Sequence, residues 1–385
     1  MRILHTADWH VGKRLGRLDR VDEARSALAE IAQIARDRRV DVVVVAGDLF
    51  DRGVPPFVSL RVVLDALVEL TATGAHVVAV PGNHDSADLF EVLAPHLAHS
   101  RVTLVHKPLR ATEGGVVEVP SRDGAEVARI ACFPFLHQAH VVEFMETHED
   151  RHKSYADRVR AIARHYATHL AERPRRNAVD VLVGHFMVHG AVPAGSERPL
   201  HVGEAYMATP DAVPHQFHYV ALGHIHKPQP VAGSDDYARY AGSLLQLDFG
   251  EAGEDKSVVV ADVSPQGRRA LETVPVTSGR RLMRVSGTLD ELKNRADELR
   301  DAILAVDVVT DRPSSSLADD VHAFLPDALY VRVDDPGREP VRTTRAGRGF
   351  RELYGEYHAE RHGGPPPAEL LAELDALADE VGVDL

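Results

Sequence analysis

Apolar positions in the first hundred residues follow two different spacings. Met1 to Thr6, Val42-Val43-Val44-Val45-Ala46 and His76 to Val80 are short runs rich in branched side chains, the composition of strands buried on both faces. Between them, Asp22 to Arg38 and Phe57 to Thr73 carry apolar residues every three or four positions. Leu28, Ile31 and Ile34 form one stripe, and Leu60, Leu64 and Leu67 the other. Asp22 is positioned to cap the first of these helices, and Gly74 to end the second. Strand, helix, strand, helix, strand predicts a layered α/β domain.

Further along, Val102 to Phe135 breaks into short strands with turn signals at Glu113-Gly114-Gly115 and Arg122-Asp123-Gly124, which predicts hairpins and a second sheet. Ser154 to Glu172 reads as an amphipathic helix with Val159, Ile162, Tyr166 and Leu170 on its apolar stripe. Val179 to Val183 and His218 to Leu222 read as strands, and Tyr240-Ala241-Gly242-Ser243 and Lys256 to Val263 complete the sheet. Near residue 281 the pattern changes. Leu282 to Ser286, a helix over Leu289 to Leu304 and Ala328 to Asp334 predict a small βαβ-like unit, with Asp311 to Asp320 as a polar loop. Two helical pieces follow, Phe350 to Glu360 and Ala368 to Val381, split by His362-Gly363-Gly364-Pro365-Pro366-Pro367. The chain therefore divides into 1–280, 281–337 and 338–385.

Composition narrows the class. The net charge of −14 counts against broad non-specific nucleic-acid binding, although bound cations and local basic residues reverse the field at a cleft. One cysteine, Cys132, excludes an internal disulfide framework and Cys-x-x-Cys zinc sites, and fits a reducing cytoplasm. No apolar run approaches a membrane span, and the opening is too short and too soon polar for a signal peptide.

The chemistry concentrates where apolar runs end. Asp8-Trp9-His10, Gly47-Asp48, Gly82-Asn83-His84-Asp85, Gly184-His185 and Gly223-His224-Ile225-His226 each follow a predicted strand. In a parallel sheet such positions meet beyond the carboxyl ends of the strands. Asp8 and His10, two residues apart, point the same way on extended backbone. Asp48 is placed to bridge two ions with one oxygen toward each. Taken alone, it reads as a turn carboxylate or a helix cap. Together, Asp8, His10, Asp48, Asn83, His185, His224 and His226 supply a two-ion site, and two ions about 3.5–4 Å apart clamp a phosphoryl group and activate water. His84, beside Asp85 as the group that sets its tautomer, remains for proton transfer to the leaving oxygen or contact with the phosphate. Lys13, Arg14, Arg17 and Arg20 form a strip able to meet DNA phosphates; the alternative is a solvated loop with incidental charge.

This ordered set resembles the calcineurin-like metallophosphoesterases. Met1 to Gly12, Ala46 to Asp51 and Ala221 to His226 are most similar to the nuclease subunits of bacterial SbcCD-type exonucleases. The resemblance implies a four-layer α/β fold, with two packed mixed sheets flanked by helices, a small α/β capping domain and a helical tail. It implies that Asp8, His10, Asp48 and His226 hold one divalent ion and Asp48, Asn83, His185 and His224 the other, with manganese preferred and His84 catalytic. Asp51 occupies the position where archaeal members carry a second histidine, so that role is not transferred. It further implies DNA as substrate, and a homodimer within a heterotetramer whose partner is an ATPase with coiled coils. That partner would dock on the tail's apolar residues, Phe350, Leu353, Tyr354, Tyr357, Leu370, Leu371 and Leu374. The rival readings are a phosphoesterase acting on cyclic nucleotides or phosphoproteins, and a scaffold of the same fold without metals.

Overall fold

The fold is taken from a computed structural model, which describes residues 1–137, 154–197, 206–310 and 316–334 and, in the tail, 354–355, 357–358, 364–368 and 370–371. Residues 1–334 form one compact unit and residues 335–385 a second.

The chain opens with β1 (Arg2–Thr6), a two-residue-per-strand hairpin of β2 (Arg14–Leu15) and β3 (Leu18–Asp19), helix α1 (Val21–Asp37), β4 (Val42–Ala46), α2 (Phe57–Ala72), β5 (His76–Val80), α3 (Ala87–Leu97) and β6 (Val102–Leu104). β1, β4, β5 and β6 run parallel. The helices cover one face of this sheet, joining Leu28, Ile31, Leu67 and Phe90 to Val43, Val45, Val77 and Ala79. Helix α3 is short and carries a proline, Pro95, inside it, which conceals it in the sequence pattern; the Ser86 side chain caps its start. Helix α1 is capped differently from expectation. Asp19 Oδ1, rather than Asp22, accepts from the Val21 amide at 2.9 Å.

A second six-stranded sheet follows from β7 (Val116–Pro120), β8 (Val127–Phe133), β9 (Ala178–His185), β12 (Tyr219–Gly223), β13 (Gln229–Pro230) and β14 (Ala238–Tyr240), with the short pair β10 (Met187–Val188) and β11 (Met207–Ala208) beside it. β8, β9, β12 and β14 are parallel. Helix α4 (Tyr155–Ala171) covers its outer face with Val159, Ile162, Tyr166 and Leu170. The hairpin β15 (Ser257–Ser264) and β16 (Gly267–Pro275) returns to the first sheet, antiparallel to β1. The inner faces of the two sheets meet in a dry layer of Ile3, Val42, Val44 and Val78 against Ile130, Val181, Val183 and Ala221. Helix, sheet, sheet, helix is the four-layer arrangement expected.

The small unit differs from the sequence reading. Its sheet has three parallel strands, β17 (Leu282–Gly287), β18 (Ile303–Val309) and β19 (Ala328–Asp334), with β18 in the middle. The predicted helix over Leu289 to Leu304 is two short helices, α5 (Leu289–Asn294) and α6 (Ala296–Leu299), and its last residues are strand. Helix α7 (Leu317–His322) lies where a polar loop was expected. A separate core of Leu292, Leu299, Leu304, Val306 and Val321 supports this unit. The β2–β3 hairpin joins it to the larger domain, since Leu15 packs with Phe249, Leu282, Ile303 and Ala305.

The approach to the small unit is held by charge. Arg20 is buried at 4% exposure and its guanidinium donates to Glu23 at 2.8 Å and to the Gln246 carbonyl. Glu23 also accepts from Arg280, at 3.1 Å from the backbone amide and 2.9 Å from the guanidinium. Burial alone would raise the Glu23 carboxyl, but Arg20 and Arg280 outweigh it and hold it below the ordinary glutamate value. The folded carboxylate therefore binds its proton more weakly than the unfolded one. Its contribution is complete above the ordinary glutamate range and fades as pH falls through the lower folded value. Glu23→Gln should cost about 1–2 kcal/mol at neutral pH. Thermal melting of wild type and variant across pH should show that gap closing in acid.

Candidate metal centre

Five loops at the carboxyl ends of parallel strands bring seven side chains to one rim. Asp8 and His10 follow β1, Asp48 follows β4, Asn83 follows β5, His185 ends β9, and His224 and His226 follow β12. All seven are buried.

Close approach of the two sheets makes this possible. A Cβ on Gly223 would lie 1.9 Å from the Ala46 carbonyl oxygen, and one on Gly47 would lie 2.2 Å from His185 Nδ1. The loops after β1 and β4 run side by side, with the amides of Asp8, His10 and Val11 donating to the carbonyls of Gly47, Asp48 and Leu49. Asp8, His10, Asp48 and His224 have φ of 52°, 43°, 54° and 97°. The common direction of Asp8 and His10 thus comes from left-handed backbone, not from the extended chain expected. Such residues cost about 1–3 kcal/mol each and persist only where surrounding bonds hold them.

The candidate ligands gather on two sides of Asp48, with Asp8 within reach of His10 and His226 on one and of His185 on the other. His10 Nε2 is 3.5 Å from Asp48 Oδ2 and 3.1 Å from His226 Nε2. Donor atoms of Asp8, His10 and His226 all lie within 4.8 Å of one another. On the other side, His185 Nε2 is 3.5 Å from the same Oδ2 and 2.9 Å from Asn83 Oδ1. His224 Nδ1 is 2.9 Å from that Asn83 oxygen and 3.3 Å from His185 Nε2. Asp48 Oδ2 therefore stands between the two groups. Asp48 Oδ1 accepts from the His84 amide at 2.7 Å.

The electrostatics suit cations. Burial pushes the Asp8 carboxyl up to about 6. Burial also opposes the charge on Asp48, but His185, His84 and His10 outweigh it and hold that carboxyl well below the usual range. His185 is disfavoured by burial yet raised to about 9 by the Asp48 carboxylate, and the same attraction would meet a metal ion. Burial holds His10 well below the usual imidazole value. The His185 Nδ1–H is directed at the Ala46 carbonyl, 2.8 Å away, leaving Nε2 for the site. Nitrogen and oxygen ligands at these spacings, with no thiolate, fit two small divalent ions.

Asp85 has a different task from the one expected. Its carboxylate accepts from the amides of Leu49 at 3.1 Å, Phe50 at 2.9 Å and Gly82 at 3.0 Å, tying the loop after β4 to the loop after β5. The His84 Nδ1–H instead donates to the Asp51 carbonyl at 2.9 Å, so that carbonyl sets its tautomer. The His84 ring stands edge-on to His10, with centroids 4.6 Å apart. Burial and the Asp48 carboxylate push Asp85 up to about 7.

The proposed basic strip divides. Arg14 and Arg17 are exposed on the β2–β3 hairpin, and Lys13 lies 3.4 Å from Asp51 Oδ1. Arg20 is corrected: buried and paired as above, its guanidinium is withdrawn from the surface and cannot meet a phosphate. Of the tail residues, Phe350, Leu353 and Leu374 lie outside the described residues. Tyr357 is exposed, and Tyr354, Leu370 and Leu371 are partly buried. Sequence reading missed Ser196, Glu197 and Glu251, which stand behind His226 together with Lys256. Only Lys256, a charge opening a buried strand, left a local signal.

The sequence model of the calcineurin-like phosphoesterase family matches residues 1–228, a span that contains all seven candidate ligands. This chain belongs to that family. It is 30% identical over 382 residues to the D subunit of the SbcCD nuclease of Bacillus subtilis (strain 168), covering 97% of this chain and 96% of that protein. The corresponding SbcCD nuclease protein of Escherichia coli (strain K12) is 29% identical over 372 residues, covering 92% and 90%. For this phosphoesterase, Asp85→Asn should place an amide donor against a backbone N–H and destabilise the fold by about 1–3 kcal/mol. Thermal denaturation of the variant, followed with and without manganese, measures how far the clamp supports the rim.

Proposed function

We propose that this chain is the nuclease subunit of an ATP-driven DNA exonuclease, cutting duplex ends and single-stranded or hairpin DNA by phosphodiester hydrolysis. The observation that carries the reading is the seven-ligand rim in a chain alike along almost its whole length to nuclease subunits. A cyclic-nucleotide or phosphoprotein substrate would leave that full-length likeness, small unit and tail included, without a purpose.

Asp8, His10, Asp48 and His226 would hold one ion, and Asp48, Asn83, His185 and His224 the other. Manganese is the metal we assign to both. When bound, two such ions polarise the phosphoryl group and make water nucleophilic at neutral pH. The protein's part is to hold the ligands on left-handed loops, and to exclude bulk water from a buried rim. His84, anchored through Nδ1 to the Asp51 carbonyl, carries a second N–H at Nε2 when protonated. From there it meets the scissile phosphate or passes a proton to the leaving oxygen. Lys13, Arg14 and Arg17 line the approach for DNA phosphates. The small unit from 281 to 337 shapes access, and the tail from 338 docks on a coiled-coil ATPase of the SbcC type, with two nuclease subunits per assembly. A cytoplasmic setting suits the single, buried Cys132. Among the described residues no helix is long and apolar enough to cross a membrane.

His84→Gln should lower manganese-dependent DNA cleavage by about 10²- to 10⁴-fold with ion binding retained. A panel of linear duplex, hairpin, cyclic nucleotide and phosphopeptide tests the substrate. Turnover of the small substrates alone would overturn the nuclease reading.

A further inference from the structure

Behind one ligand, and not behind its counterpart on the other side, lies a buried charged network. His226 Nδ1 is 2.5 Å from Ser196 Oγ and 3.4 Å from Glu251 Oε1, and Ser196 Oγ also bonds directly to Glu251. Glu251 is fully buried. Its other oxygen is held by Lys256 Nζ at 2.7 Å, the Leu247 amide at 3.0 Å and the Ser243 hydroxyl at 3.2 Å. Lys256, itself 6% exposed, also donates to the His226 carbonyl at 3.0 Å. The His226 amide donates to Glu197 at 3.0 Å, so this residue is fixed by side chain and by backbone.

The direction of the hydrogens follows from the donors available. A carboxylate paired with a lysine ammonium and an amide N–H only accepts. Ser196 therefore donates to Glu251, and its oxygen accepts from His226 Nδ1–H. That leaves the lone pair of His226 on Nε2, facing His10 Nε2 at 3.1 Å. We propose that Glu251, acting through Ser196 and held by Lys256, is a positioning residue that locks His226 in its metal-binding tautomer and strengthens one of the two ion positions. Among the described residues, His185 on the other side has no such carboxylate behind its Nδ1. His185 turns its Nδ1 toward the neutral Ala46 carbonyl. A carboxylate behind a ligating histidine orients the ring and raises its basicity, and losing one weakens metal affinity about 10- to 100-fold. A buried ion pair is poor evidence of added stability, because desolvation offsets its attraction. Here it aims a carboxylate at a ligand.

The inference rests on the two-ion reading above, and manganese titration of the full-length chain by calorimetry and electron paramagnetic resonance separates the two. Wild type should take up two ions. Glu251→Gln should bind one as wild type does and the other about 10- to 100-fold more weakly, with the signal of a coupled ion pair replaced by that of a single ion. Ser196→Ala leaves the Glu251–Lys256 pair intact, so it decides the matter if Glu251→Gln does not fold. The same selective weakening in that variant supports the assignment. Equal weakening of both steps, or no change, in a folded variant overturns it. Fewer than two ions on wild type would instead overturn the two-ion reading.

Discussion

The site depends on how closely two sheets are pressed together at one edge. Strand ends from both must come near enough for a single carboxylate oxygen, Asp48 Oδ2, to lie 3.5 Å from imidazoles of both, His10 and His185. The dry layer of valine, isoleucine and alanine between the sheets supplies the drive, at about 1.5–3 kcal/mol for each large side chain fully buried. Small residues at the rim let that packing proceed to contact. Backbone hydrogen bonds and the Asp85 carboxylate then hold the loops in conformations they would not adopt alone. Packing energy from the middle of the domain is in this way converted into ligand geometry at its edge.

Much of this was legible because strands and ligands are local in sequence. Branched runs ending in Gly-Asp, Gly-Asn-His-Asp or Gly-His declare both the strand and the side chain it presents, and most of the rim is marked that way. What the sequence concealed depends on partners far along the chain. Whether Arg20 faces DNA or Glu23 is decided by Arg280 and Gln246, more than two hundred positions away. The tautomer of His84 belongs to a carbonyl in another loop, and carbonyls have no sequence signature. Nothing local to Glu251 marks it, and only the fold sets it behind His226. In the small unit, a helix read through Leu304 runs two residues into the branched stretch Ile303 to Val309, which pairs as a strand between two parallel neighbours.

The two levels of organisation carry different burdens. Strand placement and ligand identity are matters of hydrophobic pattern, which tolerates substitution of one branched residue for another. Protonation and orientation are matters of individual bonds in a buried setting, where one missing partner leaves a polar group unsatisfied. The family match covers the first level through residue 228, whereas Glu251 and Lys256 lie beyond it.

The β2–β3 hairpin occupies an unusual place in this scheme. It hangs on the stretch between His10 and α1, yet its Leu15 is seated in the joint with the small unit, and its Gly16 lies against Tyr330 of that unit's sheet. The stretch that carries His10 is thereby fastened to the sheet of the small unit, and any change of shape at Leu15 is felt by both.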